Sequence, residues 1–294
     1  MTIDDESIYK PEDTLFPPKI TLQIKGKLYL LRQPWIMGIL NITPDSFYAK
    51  SRWEGERQGV LAEAEIMLGQ GAQILDIGGY SSRPGAGDVS EKTELNRVIP
   101  VISSIKNKFP DALISIDTFR HKIASEAVKA GADIVNDISG GGMDEYMIET
   151  VGSLGAPYVC MHMKGTPTTM QSLKSYHHLE KEILEYFSEK ISHCHQAGIK
   201  DVIVDVGLGF SKTMDQNYRL IKNLPFFKTL QVPLLVGVSR KSMIYKLLNC
   251  TPENALNGTT ALNMAALMNG VQILRVHDIK AANETIKLFK QIYP

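Results

Sequence analysis

The stretch ALISIDTFRHKIASEAVKAGADIVNDI (112–138) holds one complete folding unit. Its ends, ALISID (112–117) and ADIVNDI (132–138), are short apolar runs of the kind that parallel strands need when both faces are covered. Between them HKIASEAVKAGA reads as a helix stopped by Gly131. Strand, helix and parallel strand in succession imply a crossover unit.

The same rhythm extends in both directions. Upstream lie WIMGIL (35–40) and AQILDI (72–77); downstream lie APYVCMHM (156–163), DVIVDV (201–206), PLLVGV (233–238) and VQILRV (271–276). With the two runs above, that makes eight. Helical segments separate them, among them RQGVLAEAEIMLGQGA before Gln73 and HLEKEILEYFSEKISHCHQAG up to Gly198. Eight strands alternating with helices, without a break in composition, predict a single (β/α)8 TIM barrel over residues 19–294. A doubly wound open sheet is the alternative. Ahead of the barrel, ITLQIKGKLYLL alternates around Lys25-Gly26 as a short β-hairpin, and residues 1–18 read as a flexible lead-in.

Composition narrows the function. In 294 residues, 32 basic side chains match 32 acidic ones, so no overall field draws the chain to nucleic acid or an anionic membrane. Cys160, Cys194 and Cys250 are scattered and odd in number, which fits a reducing compartment. The acidic N-terminal stretch lacks the pattern of a signal peptide, and no apolar run is long enough to span a bilayer. A cytoplasmic protein is expected.

Barrels of this class build active sites at the C-terminal ends of their strands. Here those ends carry Asn41, Asp76, Asp117, Asn136, Asp137, His162, Asp205, Ser239, Arg240, Lys241, Arg275, His277 and Asp278. Any single Asp or Asn there reads equally well as a helix cap or turn residue, and Asp76 and Asp137 suit structural bonding to backbone or to a neighbouring Arg. Together they imply a polar ligand, because buried charges are costly unless something satisfies them. Asp117, Asn136 and Asp205 are acceptors suited to a flat ring rich in N–H donors. Arg275, His277 and the helix starting near Ile279 form an anion corner of the kind these barrels use for phosphate.

Eight motifs stand in order along the chain: NITPDSF (41–47), DIGGYSSRPGA (76–86), SIDTF (115–119), VNDISGG (135–141), MHMKGTPTTMQ (161–171), DVGLGFSKT (205–213), PLLVGVSRKSMI (233–244) and ILRVHD (273–278). In this the chain resembles the dihydropteroate synthases of the pterin-binding family, from about residue 35 to the C-terminus. The resemblance implies condensation of 6-hydroxymethyl-7,8-dihydropterin diphosphate with p-aminobenzoate, giving 7,8-dihydropteroate and pyrophosphate. It implies that Asp117, Asn136, Asp205 and Lys241 bind the pterin, and that Asn41, Arg275 and His277 hold the diphosphate, Asn41 partly through Mg2+. Phe47, Ser82, Arg83, Pro84, Phe210 and Ser242 would surround p-aminobenzoate. Asp117, Lys241, Arg275 and His277 would carry the catalysis, with two closing loops and no covalent intermediate. The family is typically dimeric, so a homodimer is implied.

Departures and rivals complete the reading. The first loop continues YAKSRW where the family usually has an acidic-glycine turn, so Ala49 and Lys50 bear on its closure. Ser82 stands where Thr is common, and Val206 and Ser211 where Pro and Gly are usual. Gly207-Leu208-Gly209 lacks the third glycine of a dinucleotide turn. His193-Cys194-His195 are adjacent on a helix and share no face, and TALNMAALMNG (260–270) reads as core. A pterin-dependent methyltransferase would share the acceptor set but needs neither a diphosphate clamp nor a p-aminobenzoate pocket. A non-catalytic pterin-binding homologue is the rival from another class.

Overall fold

Each of the eight apolar runs is a strand, and together they close on themselves. The computed structural model describes residues 20–42, 53–80 and 89–293, with the backbone alone for 53–57. The strands are β3 (Trp35–Asn41), β4 (Ile74–Gly78), β5 (Leu113–Asp117), β6 (Ile134–Asp137), β7 (Tyr158–Met161), β8 (Val202–Asp205), β9 (Leu234–Val236) and β10 (Ile273–Val276). All pair in parallel with their sequence neighbours, and β10 returns to pair with β3. The closed barrel excludes the open doubly wound sheet. The intervening helices are α1 (Trp53–Gly69), α2 (Glu91–Lys108), α3 (His121–Ala130), α4 (Met147–Leu154), α5 (Leu179–Gln196), α6 (Met214–Lys222), α7 (Ser242–Tyr245), α8 (Leu256–Met268) and α9 (Ile279–Ile292).

The predicted hairpin is present as β1 (Thr21–Ile24) and β2 (Lys27–Leu30), antiparallel. Its two turn residues, Lys25 and Gly26, have φ of 48° and 80°, as the tightest hairpin turns require. Leu22, Ile24 and Leu31 from this hairpin join Met37, Ile74, Ile134, Val159, Ile203, Leu235 and Ile273 in one apolar cluster. The hairpin therefore stoppers the barrel at the end opposite the site, over a filled floor.

Polar bonds fix that stopper. Asp133 takes Lys25 and Lys106 on its two oxygens at 2.7 Å each, and accepts the Ile114 N–H at 2.8 Å. Asp201 accepts the Gln23 N–H at 3.0 Å. Lys25 is half exposed and contributes little by itself, whereas removing the buried carboxylate strands the Ile114 N–H and leaves Lys106 with only the Ala112 carbonyl. Asp133→Ala is expected to lower stability by about 2–4 kcal/mol, read from urea unfolding, with Michaelis constants unchanged.

Two local expectations need correction or refinement. Of the stretch 260–270, read as core, helix α8 buries Asn263, Ala266 and Leu267 but leaves Met268 exposed, as it does Leu256 at its start. Its helix has apolar residues on every side, so only one face is used by the barrel. At 193–195, read as an exposed helix end, only His193 and His195 are exposed, and Cys194 between them is buried in the last turn of α5. The lead-in over 1–18 and the loop residues Phe47, Ala49, Lys50, Ser82, Arg83 and Pro84 lie outside the described residues.

Candidate active site

Strand register assembles the mouth. Asn41 pairs with Gly78, Gly78 with Asp117, and Asp117 with Asn136, so four successive strands end at one level. One step deeper, Asp76 is fully buried. Arg275, from the strand that closes the barrel, donates Nε to Asp76 Oδ2 at 2.7 Å and Nη2 to Asp117 Oδ2 at 2.6 Å. Asn136 Nδ2 donates to the same Asp76 oxygen at 3.1 Å. One guanidinium thus ties two carboxylates, and one of those orients the amide beside it.

The electrostatics follow from burial. Burial pushes the Asp117 carboxyl up to about 7, with Arg275 opposing and Asp76 adding to the rise. Burial alone would lower the Arg275 guanidinium, but Asp76 and Asp117 outweigh it and raise it. Asp76 Oδ1 and Ser115 Oγ, on paired residues of β4 and β5, have no hydrogen-bond partner among the described residues. Orphaned polar atoms of this kind mark a place that a polar ligand or water satisfies.

The opposite wall is built on β8 and the loop after it. Asp205, nearly buried, accepts the Gly207 N–H on Oδ1 at 2.8 Å. Burial raises its carboxyl, while Lys241 and that N–H pull it back. Lys241 Nζ donates to Leu208 O at 2.6 Å and lies 4.9 Å from the centre of the Phe210 ring. Burial lowers Lys241 to about 8, with Asp205 opposing. Phe210 packs on Met161, Met163, Met170 and Ile138, an apolar cheek beside the charged wall. Gly207 is obligatory here: its φ is +68°, and a Cβ would come within 2.1 Å of His162 O.

The rim carries the anion corner. His277 Nδ1 lies 3.0 Å from Ser239 Oγ, a hydrogen bond that fixes the ring. Arg240 grips Asp278 through Nε and Nη2 at 2.9 and 2.6 Å, locking the loop after β9 to the start of α9. Ser242 opens the short helix α7 directly after Lys241. Asn41 Oδ1 sits at the end of β3, on the level of Asp117.

Comparison with known proteins places this arrangement. A model of the pterin binding enzyme family matches residues 37–277. The dihydropteroate synthase of Escherichia coli K12 is 42% identical over 260 residues, covering 88% of this chain and 91% of that one. That of a Synechocystis species is 41% identical over 280 residues, covering 93% and 94%. The chain belongs to the dihydropteroate synthases of the pterin binding enzyme family. Solved structures of such synthases superimpose closely. The Yersinia pestis dihydropteroate synthase with a sulfonamide drug complex gives a TM-score of 0.86 at 38% identity over 93% of this chain and 99% of that one. The Xanthomonas albilineans dihydropteroate synthase with 4-aminobenzoic acid gives 0.84 at 33%, over 93% and 98%.

Within this synthase, Asp117, Asn136 and Arg275 meet through Asp76, and Asp205, Lys241 and Phe210 meet across the barrel. Asp137 is structural, as expected: Ser139 N and Oγ, Gly141 N and Tyr158 OH saturate it. Asp76 bonds to an Arg as expected, but it also orients Asn136, which sequence reading missed. That link needs the two strands' register and leaves no motif. Also missed was Lys212, buried at the back of the β8 loop; a lysine in the polar run SKT reads as solvated surface.

Proposed function

We propose that Asp205, Asn136 and Asp117 receive the pterin ring, in the condensation of 6-hydroxymethyl-7,8-dihydropterin diphosphate with p-aminobenzoate that this synthase performs. The observation that carries the assignment is the buried charge cluster in which Arg275 spans Asp76 and Asp117 beside Asn136. A carboxylate accepts two parallel N–H bonds, which suits Asp205 to the 2-amino and N3 edge of the ring. Lys241 then meets the O4/N5 side, and Phe210 forms one side of the p-aminobenzoate slot. Phe47, Ser82, Arg83, Pro84 and Ser242 complete that slot, Ser242 meeting the carboxylate.

The leaving group defines the other half of the chemistry. The C–O bond to diphosphate breaks with its electron pair leaving on oxygen, so negative charge grows at the rim, where Arg275 and His277 neutralise it. The methylene left behind is cationic and conjugated to the pterin, and Asp117 stabilises it. The aniline nitrogen of p-aminobenzoate attacks that carbon, forms the C–N bond and gives up a proton. Water must be kept from the cation, which is the part we assign to the segments that follow β3 and β4 in sequence.

Mg2+ fits this arrangement as an ion shared with the substrate. Among the described residues there is no cluster of three or more His, Cys, Asp or Glu that could cage a metal. Asn41 offers one hard oxygen, and Mg2+ commonly keeps its waters and takes phosphate oxygens for the rest. Bound in that way, Mg2+ would supply charge neutralisation at the diphosphate, with Asn41 holding it.

The assembly proposed is a homodimer. Leu247, Leu248, Leu256 and Met268 are exposed apolar residues on and before α8, the kind of surface a second copy covers. The balanced charge supports small-molecule substrates over nucleic acid, and among the described residues no helix is long and apolar enough to cross a membrane. The scattered cysteines support a cytoplasmic location.

The test is turnover of dihydropterin diphosphate and labelled p-aminobenzoate with Mg2+, for the wild type and for Lys241→Ala. Labelled dihydropteroate is expected from the wild type, and a rate lower by about 10²-fold or more from the variant. Because only protonated Lys241 brings positive charge to the ring, the wild-type rate should fall as pH rises through about 8, a limb absent from the variant. Pterin binding without product would instead mean a binding protein, and no pterin binding would sink the assignment.

A further inference from the structure

We infer that Lys212 is the positioning residue that holds the loop after β8 in the shape Asp205, Phe210 and Lys241 require. The inference rests on the reading of those three residues as the pterin side of the site.

The loop is an improbable piece of backbone. Gly207, Ser211 and, between them, Gly209 all have positive φ, at 68°, 46° and 85°. For Ser211 that conformation is costly, and it persists only if the surroundings fix it. Within this turn the Gly207 and Phe210 carbonyls both face inward, and Lys212 is where they converge. Its Nζ donates to Gly207 O and Phe210 O at 3.0 Å each, and it lies 3.0 Å from His162 Nδ1 and 3.4 Å from His162 O. The loop is thus wrapped around its own lysine and pinned by it to the end of β7.

The ring of His162 is suited to accept. Burial, with Lys212 and Lys164 adding, holds it neutral down to about 2, so one ring nitrogen is an acceptor, and in the tautomer that suits the Lys212 ammonium it is Nδ1. Lys212 itself, faced by Asp205, Lys241 and Lys164, is pulled down to about 7 by burial. It retains N–H donors in both protonation states. Lateral anchors exist as well: Gly209 N–H bonds Asn217, and Ser211 Oγ accepts the Lys164 N–H. They grip the rim of the loop, and Lys212 grips its centre.

What hangs from this centre is the proposed pterin wall. The Gly207 N–H orients the Asp205 carboxylate, Leu208 O receives Lys241, and Phe210 lies beneath the same ammonium. Removing Lys212 takes the donor from the buried Phe210 O and His162 O, and leaves Gly207 O with only the Phe210 N–H at 3.1 Å. An arginine in its place keeps charge but spreads its donors in a plane, so it does not meet carbonyls converging on a point.

The experiment compares wild type, Lys212→Met and Lys212→Arg by thermal melting, calorimetric binding of dihydropterin diphosphate with Mg2+, and kcat and KM for both substrates. Lys212→Met is expected to melt cooperatively yet bind dihydropterin diphosphate about 30-fold more weakly, with its KM raised alongside a lower kcat. Lys212→Arg is expected to restore little. A merely structural loss would reduce the amount of active protein and leave KM at the wild-type value. Folded Lys212→Met with binding and KM within about threefold of wild type overturns the inference. If Lys212→Met does not fold, Lys212→Arg is judged by the same limits. Wild type that does not bind dihydropterin diphosphate overturns the reading of the site itself, and is scored before any variant.

Discussion

Arg275→Met lowers kcat/KM for dihydropterin diphosphate by about 10³-fold or more, the largest kinetic effect expected of any single change here. Two losses combine. The diphosphate rim gives up a fixed cation where charge develops, and two buried carboxylates, Asp76 and Asp117, lose the guanidinium that ties them at 2.7 and 2.6 Å. Removing one partner of a buried pair typically costs about 3–5 kcal/mol of stability. Freed from Arg275, whose charge holds it down, Asp117 favours the protonated form still more. The loss of stability should therefore grow as pH rises and shrink in acid, because the folded variant binds protons that the unfolded chain releases. Arg275→Lys should recover little, since one ammonium cannot span both carboxylates in a fixed fork. Steady-state kinetics and urea unfolding at two pH values check this; more than a tenth of wild-type activity in Arg275→Met would refute it.

Asp205→Asn weakens pterin binding by about 10²- to 10³-fold while the barrel stays folded. The carboxylate already spends one oxygen on the Gly207 N–H. An amide can keep that bond only by turning its NH2 toward the ring, where it opposes the donors it should receive. Losing a buried, charge-assisted acceptor costs about 2–5 kcal/mol in binding, and here the variant adds a repulsive contact. The variant also removes the counter-charge facing Lys241 and Lys212, both of which Asp205 helps to keep protonated. Calorimetry with dihydropterin diphosphate gives the answer directly, and an unchanged affinity in a folded variant rules the role out.

The barrel was legible because its periodicity is written in local runs. Eight β-branched stretches need no knowledge of each other to be recognised, and Lys25-Gly26 marks its own turn. The ring of polar residues at the strand ends was legible for the same reason. What joins those residues was not. That Asn41, Gly78, Asp117 and Asn136 share a level depends on three separate registers, and Arg275 reaches Asp76 from 199 residues away. Lys212 escaped notice because burial of a lysine is decided by the loop that folds over it. Helix α8 misled in the other direction: the alanines and methionines of TALNMAALMNG read as core, yet Met268 faces outward.

The stopper of the barrel carries a consequence for biosynthesis. The hairpin at residues 21–30 leaves the ribosome early, but its seats do not. Lys25 must wait for Asp133, and Gln23 for Asp201. The first barrel strand likewise waits for Ile273–Val276 to cover its open side. During most of translation, then, the nascent chain carries an apolar hairpin without a cavity to fill and a strand edge without a neighbour. Such segments are where growing chains associate wrongly or recruit chaperones. The last strand to be made closes the ring and gives the first-made hairpin its place.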